Sequence, residues 1–196
     1  NNKENYENFT TDHTGMIRLA SMTDGTDQVL YHRANDKEPF VEIKRTGFKD
    51  SFAPLFFTFD NKNLYASSNL NGRDKSAIVE YDIAAGKEVK EIFANADYDV
   101  DNLNYSRKRK VLTVVSWTGA KSEHAFLDKE TEALWNKLGA QMEGYEYWVY
   151  GENDDEDKFM VWKGNDRMPG KYYFYDAKTE KTVEMATLYP WLNEND

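Results

Sequence analysis

The sequence predicts an all-β fold: a partial β-propeller of about four antiparallel blades, with one short helix near residues 128–139. An aspartate closes an apolar strand three times, at intervals of 46 and 48 residues. A second apolar strand opens after a polar turn three times, at intervals of 47 and 48 residues. A supersecondary unit with this period is typical of propeller blades. The aspartates are Asp82, Asp128 and Asp176, and the strands open at Leu64, Val111 and Phe159.

The first unit is predicted to be incomplete. Residues 1–14 are polar and are expected to form a loosely ordered lead-in segment before a blade over residues 15–50. Asp24-Gly25 lies between the apolar runs Ile17–Thr23 and Val29–Ala34, which predicts a β-hairpin. Phe40–Thr46 adds one strand, so one strand of this blade is expected to be missing or reduced.

The second and fourth units, residues 51–95 and 144–189, each contain four alternating or continuous apolar runs and are predicted to be complete blades. Their predicted strands are Pro54–Phe59, Leu64–Ser68, Ile78–Asp82, Glu88–Phe93, Tyr145–Tyr150, Phe159–Lys163, Lys171–Asp176 and Thr182–Ala186.

The third unit, residues 96–143, departs from the pattern after three predicted strands. Where a fourth strand is due, Leu134 and Leu138 are spaced as on one face of a helix. Asp128 suits the N-cap of this helix and Gly139 suits the position just beyond its C-terminus. The three strands are Asn102–Ser106, Val111–Trp117 and His124–Leu127.

Stacking explains why such units belong together. Several strands are apolar at neighbouring positions, so both faces of each sheet need cover, and sheets packed face to face provide it. A β-sandwich or an irregular β-meander is the alternative. An open arc of four blades would leave an uncovered apolar face at each end, so self-association, with two arcs closing a ring, is expected.

Blade connectivity also predicts which loops share a rim. Consecutive antiparallel strands reverse direction, so the loops at 69–75, 118–121 and 164–170 are expected on the rim that the chain's exit also faces. Cationic and aromatic side chains there are candidates for contact with a peptide, since arginine can bind a carboxylate or a carbonyl. A solvated side chain or a salt bridge is the competing interpretation. The four substrate-facing candidates are Arg73, Trp117, Lys121 and Arg167.

Composition narrows the function classes. The net charge of −10 argues against a nucleic-acid partner, and no apolar run is long enough to span a membrane. Without cysteine there is no thiol nucleophile, and no G-x-S-x-G or H-E-x-x-H motif occurs. No catalytic residue, metal or cofactor is therefore predicted. His13, His32 and His124 are expected to be structural, because each stands apart from the others.

Two charged loops have some features of ion sites. Asn153–Asp157 alternates oxygen ligands but lacks the glycine and the closing glutamate of a calcium loop. Ser106–Lys110 is basic enough to suggest an anion site. Both segments fall where a blade turn is due, so solvated hairpin turns are predicted.

Several segments resemble the non-catalytic propeller of the prolyl oligopeptidase family, particularly acylaminoacyl-peptidase and dipeptidyl-peptidase-like enzymes of Gram-negative bacteria. The resemblance extends from about Gly15 onward. The segments that carry it are Pro54–Asn69, Asp74–Tyr81, Asn104–Val115, Phe126–Ala133 and Pro190–Asn195.

The resemblance implies a scaffold that serves another domain. In this family a propeller of seven or eight blades caps an α/β-hydrolase domain with a Ser-Asp-His triad and admits small or flexible peptides. The chain would then cover roughly half of the propeller, residues 190–196 would lead toward the catalytic domain, and the protein would be periplasmic or secreted. No Glu-Glu pair occurs, which speaks against strict dipeptide release. A stand-alone propeller-like module that binds a protein or glycan is the alternative.

Overall fold

A computed structural model describes residues 2–192, which form fifteen strands in four sheets and one helix. In every sheet, strands that follow one another in the chain are neighbours. Sheet 1 comprises β1 (Asn8–Thr11), β2 (Ile17–Asp24), β3 (Asp27–His32) and β4 (Val41–Thr46). Sheet 2 comprises β5 (Phe52–Phe57), β6 (Leu64–Ser68), β7 (Ala77–Asp82) and β8 (Lys87–Phe93). Sheet 3 comprises β9 (Val100–Ser106), β10 (Val111–Thr118) and β11 (Ser122–Phe126). Helix α1 (Lys129–Gln141) follows, and sheet 4 comprises β12 (Glu146–Glu152), β13 (Lys158–Gly164), β14 (Lys171–Asp176) and β15 (Lys181–Thr187).

The repeat predicted from the sequence is confirmed. Leu64 opens β6, Val111 opens β10 and Phe159 is the second residue of β13, so each lies at the start of the second strand of its sheet. The all-β fold of antiparallel sheets with one short helix is likewise confirmed, although sheet 3 has three strands.

The repeated aspartate accepts a hydrogen bond from a following backbone amide in all three sequence repeats. The Asp82 carboxylate accepts a hydrogen bond from the amide of Ala85 at 2.8 Å, and Asp176 accepts one from the amide of Lys178 at 2.9 Å. Asp128 accepts the corresponding bond from the amide of Thr131 at 2.9 Å. Asp82 and Asp176 thus close the turn that follows the third strand, as Asx turns do, whereas the bond of Asp128 caps helix α1.

The prediction of a reduced first blade was wrong. Asn8–Thr11 forms β1 and pairs with β2, so sheet 1 has four strands. The pattern missed this strand because Phe9 is its only large apolar residue, and all four positions are exposed or half-buried. Of the predicted lead-in and exit segments, Asn1 and residues 193–196 lie outside the described part of the chain.

The helix begins where it was predicted but ends later. Asp128 is the N-cap as expected, whereas Gly139 lies inside α1 and Met142 is the C-cap. Gly139 fits there because the Tyr147 ring packs against it: an added Cβ would lie 2.9 Å from the Tyr147 hydroxyl. That hydroxyl donates a hydrogen bond to the carbonyl of Trp135 at 2.9 Å, which ties α1 to β12. The glycine therefore serves a close approach and not a helix end.

The chain divides into two compact units, each with its own core. Unit 1 is Asn1–Asn104 with Val115–Ala125, and unit 2 is Tyr105–Val114 with Phe126–Asp196. In unit 1, sheets 1 and 2 pack face to face through buried apolar side chains. In unit 2, α1 covers one face of sheet 4. The main buried residues are Leu19, Leu30, Phe57, Leu64, Val79 and Tyr81 in unit 1, and Leu138, Met142, Phe159, Val161 and Tyr175 in unit 2.

The face of sheet 1 that points away from sheet 2 is covered, contrary to the expectation of an open apolar face at each end. Ala20 and Val29 on this face are each only 1% exposed. The Tyr6 ring lies over the face, with its centroid 5.0 Å from that of Tyr31 and 5.2 Å from that of Phe40. The segment before β1 and the segment before β4 thus supply the aromatic cover that a neighbouring sheet would give.

Candidate functional site

In unit 1, the loop from β6 to β7, the connection from β8 to β9 and the hairpin from β10 to β11 lie close together. The amide of Ser76 donates to the Asp99 carboxylate at 2.7 Å, and the amide of Val100 donates to the Ser76 carbonyl at 2.9 Å. The ring of Tyr98 lies against Gly119, where an added Cβ would be 3.2 Å from Cζ. We call the surface formed by residues 69–76, 94–99 and 117–121 the loop end of unit 1.

Arg73 is held at the loop end by carboxylates of β8. Its guanidinium lies 2.6 Å from a carboxylate oxygen of Glu88 and 3.2 Å from one of Glu91, and it donates to the carbonyl of Leu70 at 3.1 Å. Its side chain is 22% exposed and that of Glu88 is 8% exposed. The arrangement anchors the β6–β7 loop to the last strand of sheet 2.

Glu88 is the centre of this anchor and was not singled out from the sequence. Besides Arg73, it accepts hydrogen bonds from the Ser68 hydroxyl at 2.6 Å and from the Asn71 side-chain amide at 2.9 Å. A buried carboxylate needs such partners because desolvation of an unpaired charge is costly. The two glutamates of β8, Glu88 and Glu91, were the sequence signal for an acidic partner of the loop arginine.

Trp117 is buried, at 8% exposed, and lies on the opposite face of sheet 2 from Arg73. Its indole stacks on Phe93, with ring centroids 5.6 Å apart, and donates to the Glu123 carboxylate at 3.2 Å. Phe93 pairs with Ile78, whereas Glu91, the partner of Arg73, pairs with Val79. Ile78 and Val79 are consecutive in β7 and therefore point to opposite faces of sheet 2. Trp117 and Arg73 thus lie on opposite faces of that sheet.

Lys121 and Arg167 are both exposed. Lys121 closes the β10–β11 hairpin, where its carbonyl accepts a hydrogen bond from the amide of Gly119 at 2.9 Å. Arg167 belongs to unit 2, in the loop from β13 to β14, and its amide donates to the Asn165 side chain at 2.9 Å. Thus Trp117 and Lys121 lie on one hairpin, Arg73 lies across sheet 2 from Trp117, and Arg167 lies in the other unit.

The histidines occupy structural positions. The His32 ring nitrogen lies 3.0 Å from the Arg18 guanidinium, which can only donate, so this nitrogen accepts the hydrogen bond. Burial, with the charge of Arg18, lowers the pKa of His32, and burial lowers the pKa of His124. A ring nitrogen of His13 lies 2.9 Å from the carbonyl of Phe57. The rings of His13 and His32 thus tie strands and turns together.

The acidic loop at 153–157 is a hairpin turn. The Asn153 side-chain oxygen accepts hydrogen bonds from the amides of Asp157 at 3.1 Å and Lys158 at 2.9 Å. Asp157 forms an ion pair with Lys178. Within residues 2–192, no three histidine, aspartate or glutamate side chains are grouped as a metal site would require.

A cleft of about 640 Å³ lies near the N-terminus of unit 1, and none of the four predicted residues lines it. Arg33 on its wall already donates to the carbonyl of Ile17 at 2.9 Å and lies over the Phe40 ring. The residues that line the cleft are Asn2, Lys3, Glu4, Tyr6, Phe9, Arg33, Glu38, Pro39 and Phe40.

Over the described residues, no helix is long and apolar enough to cross a membrane.

Comparison with solved structures shows the fold of a propeller segment. A structure from a study of two prolyl endopeptidases, concerned with inter-domain dynamics in catalysis and specificity, matches 95% of this chain with a TM-score of 0.61 and 15% identity. A puromycin-hydrolysing peptidase of Mycobacterium tuberculosis matches 96% with a TM-score of 0.60 and 13% identity. Prolyl oligopeptidase B of Galerina marginata, as the apo protein, matches 96% with a TM-score of 0.59 and 12% identity.

The chain spans only 27% to 30% of the length of these three proteins. No protein-family model matches the sequence, and no curated protein matches it either. Similarity at such low identity establishes the fold, which is that of the β-propeller part of prolyl oligopeptidase-type peptidases.

Proposed function

We propose that this chain is a non-catalytic propeller segment that caps the active site of a serine peptidase and filters the peptides that reach it. Its partner would be a catalytic α/β-hydrolase domain of the same protein. The acylaminoacyl- or dipeptidyl-peptidase-like subfamily is the one that the sequence resembles, and a periplasmic or secreted location goes with that proposal.

The observation that carries the proposal is the structural match along nearly the whole chain. Three peptidase structures match 95% to 96% of the chain, with TM-scores of 0.59 to 0.61. A match of this coverage reaches beyond one generic four-stranded sheet. A scaffold of this kind contributes shape and access, because hydrogen-bonded ladders fix its strands and its loops are presented on that frame.

A size filter follows from the rigidity of the sheets. The two cores are built from side chains with exposures near zero, so a blade opens only as a unit. A folded protein is too large to pass between rigid blades, whereas a short flexible peptide can enter between their loops. The proposed filter therefore acts on substrate size before it acts on substrate sequence.

Among the four candidates, Lys121 and Arg167 are the ones we propose for direct contact with a peptide. Both are exposed, and a cation can bind the peptide's C-terminal carboxylate. We assign Arg73 and Trp117 to shaping the loops, since both are largely buried: the Arg73 side chain is 22% exposed and Trp117 is 8% exposed.

The test uses the complete natural protein that contains this chain. Hydrolysis is measured for a short chromogenic peptide, for the same sequence inside a peptide of thirty residues, and for a folded protein that exposes it. We expect turnover to fall steeply with size. Equal specificity constants for all three substrates would refute the filter.

Charge variants test the contact residues. For Lys121→Ala and Arg167→Ala we expect KM to rise about fivefold for a peptide with a free C-terminus, with kcat unchanged, because a solvated ionic contact contributes about 1 kcal/mol. Lys62→Ala, with a side chain 79% exposed in the β5–β6 turn, is the matched control and should leave KM unchanged. An equal KM in all variants would remove both residues from the substrate path.

A further inference from the structure

The β6–β7 loop contains the only Asn-Gly pair of the sequence, Asn71-Gly72. Both residues have positive φ, +62° for Asn71 and +79° for Gly72, as the two central residues of a type I′ turn do. Both are exposed. The space beside Gly72 is open, because an added Cβ there would meet no other heavy atom within 4 Å. Water therefore reaches the peptide bond between the two residues.

An asparagine that precedes glycine can lose ammonia without an enzyme. The backbone nitrogen of the glycine attacks Cγ of the asparagine and gives up its proton to water, while the bond from Cγ to the side-chain nitrogen breaks and ammonia leaves. The product is a cyclic succinimide, which water opens at either carbonyl to give aspartate or isoaspartate. No oxidant or reductant is needed. Glycine favours ring closure because it has no Cβ to shield its nitrogen.

Glu88 holds the Asn71 side chain out of this reaction. The side-chain amide of Asn71 donates to a carboxylate oxygen of Glu88 at 2.9 Å, and the Arg73 guanidinium lies 2.6 Å from the same oxygen. Ring closure requires the Asn71 amide to leave Glu88 and turn onto its own backbone. The closed loop therefore slows the reaction, and local opening of the loop permits it.

The product of the reaction cannot restore this contact. An ionised aspartate or isoaspartate at position 71 has no side-chain N–H to donate. Glu88, whose side chain is 8% exposed, would lose a hydrogen bond and face a second negative charge. Isoaspartate also adds a carbon to the main chain, which changes the geometry of the turn. Both products therefore favour the open loop.

We propose that Asn71 is a site of spontaneous deamidation and that the reaction acts as a one-way latch on the β6–β7 loop. The loop must open for Asn71 to react, and the product keeps it open. The change alters the loop end of unit 1 permanently and adds a negative charge to a net charge of −10. The proposal is independent of the peptidase role, because the only reactants are the chain itself and water.

The first test follows Asn71 in the natural protein that contains this chain, incubated at neutral pH. Trypsin releases the peptide Asn63–Arg73, in which mass spectrometry distinguishes asparagine from its acid products. Asn63 and Asn69, each followed by leucine, are internal controls in the same peptide. Digestion in heavy-oxygen water marks any conversion that occurs during the digest. A protein-isoaspartate methyltransferase detects isoaspartate, which direct hydrolysis of the amide would not produce.

Variants of β8 test whether Glu88 controls the rate. In Glu88→Ala we expect Asn71 to convert about tenfold faster than in the wild type, because a hydrogen bond to a charged group is worth about that factor. Glu88→Gln keeps the shape and a weaker acceptor, so it should convert at an intermediate rate, and it serves if Glu88→Ala does not fold. Glu91→Ala removes the same charge from the same strand. Because Glu91 is 50% exposed and its described partner is Arg73, this control should change the rate little.

The second test uses Asn71→Asp to represent the product. Trypsin can cut the native protein after Arg73 only when this side chain has left Glu88, so the cleavage rate reports the population of the open loop. We expect cleavage after Arg73 to be about tenfold faster in Asn71→Asp than in the wild type. Asn69→Asp is the matched control. The Asn69 side-chain oxygen accepts a hydrogen bond from the amide of Ser51 at 2.6 Å, and an aspartate oxygen can do the same.

Several results would overturn the proposal. These are equal conversion of Asn71 in the wild type and Glu88→Ala, conversion of Asn63 or Asn69 as fast as that of Asn71, or a product without isoaspartate. An Asn71 that stays unconverted in the folded protein once the urea-unfolded chain has converted would also overturn it. So would equal cleavage after Arg73 in Asn71→Asp and Asn69→Asp.

Discussion

Substitution of Arg73 tests most sharply whether a candidate residue has a structural role or binds substrate. Removing its guanidinium in Arg73→Met leaves the Glu88 carboxylate, 8% exposed, with only its bonds from Ser68 and Asn71. Breaking a fully buried ion pair costs about 3–5 kcal/mol, and the 22% exposure of Arg73 reduces this, so we expect a loss of about 2–3 kcal/mol.

The assay is urea unfolding of the chain, arranged as a double-mutant cycle. Glu88→Gln alone should destabilise, whereas Arg73→Met with Glu88→Gln should recover about 1–2 kcal/mol relative to the sum of the single changes. Lys75→Met is the control, because its only described partner, Asp74, is 91% exposed. A loss below about 0.5 kcal/mol for Arg73→Met, or additive single changes, would show that the arginine is available to a substrate.

Three further predictions concern stability. Asp128→Ala should cost about 2 kcal/mol in urea unfolding, because α1 loses both its N-cap and an ionic hydrogen bond. The lowered pKa of His32 means that its contribution is complete above pH 6.5 and is lost as the pH falls from 6.5 through the folded-state value, so the urea midpoint should drop between pH 7.5 and 5. Gly170→Ala should cost about 3 kcal/mol, since φ is +127° and a Cβ would strike Trp162, whereas Gly72→Ala, with φ of +79° and open space, should cost about 1 kcal/mol.

Each of these has an outcome that contradicts it. For the N-cap, Glu130→Ala is a first-turn control with a side chain 78% exposed, and an equal loss in both variants would count against capping. For the histidine, a midpoint shift that His32→Gln leaves unreduced would move the effect to other groups. For the glycines, equal losses of stability at positions 170 and 72 would show that the Trp162 side chain moves aside without a cost in free energy.

The sequence was sufficient for the repeat because hydrophobic periodicity and turn chemistry coincide in it. Aspartates that close the third strand bind the following amides, so Asp82 and Asp176 mark the same place in two sheets. The helix was predictable from Asp128, since its capping bond is local in sequence. The end of the helix was not predictable, because Gly139 is needed for the close contact with Tyr147, which belongs to another element.

The candidate site was less predictable, because its contacts also join different elements of the chain. Loop order along the chain correctly brought Trp117 and Lys121 to one hairpin. It did not reveal that Arg73 is engaged by Glu88, because that contact joins a loop to a strand fifteen residues later across a twisted sheet. The polar strand β1 escaped detection because its pairing with β2, and not its own apolar content, holds it in place.

We propose that this chain belongs to a serine peptidase, and active-site labelling tests this claim most directly. An extract of cells that make the protein is treated with a biotinylated fluorophosphonate, labelled proteins are captured under denaturing conditions, and peptides of this chain are sought by mass spectrometry. We predict that these peptides are enriched with the label and that heating the cell extract before labelling abolishes the enrichment. Recovery of the chain only in the unlabelled fraction, from cells in which other serine hydrolases are captured, would contradict the claim.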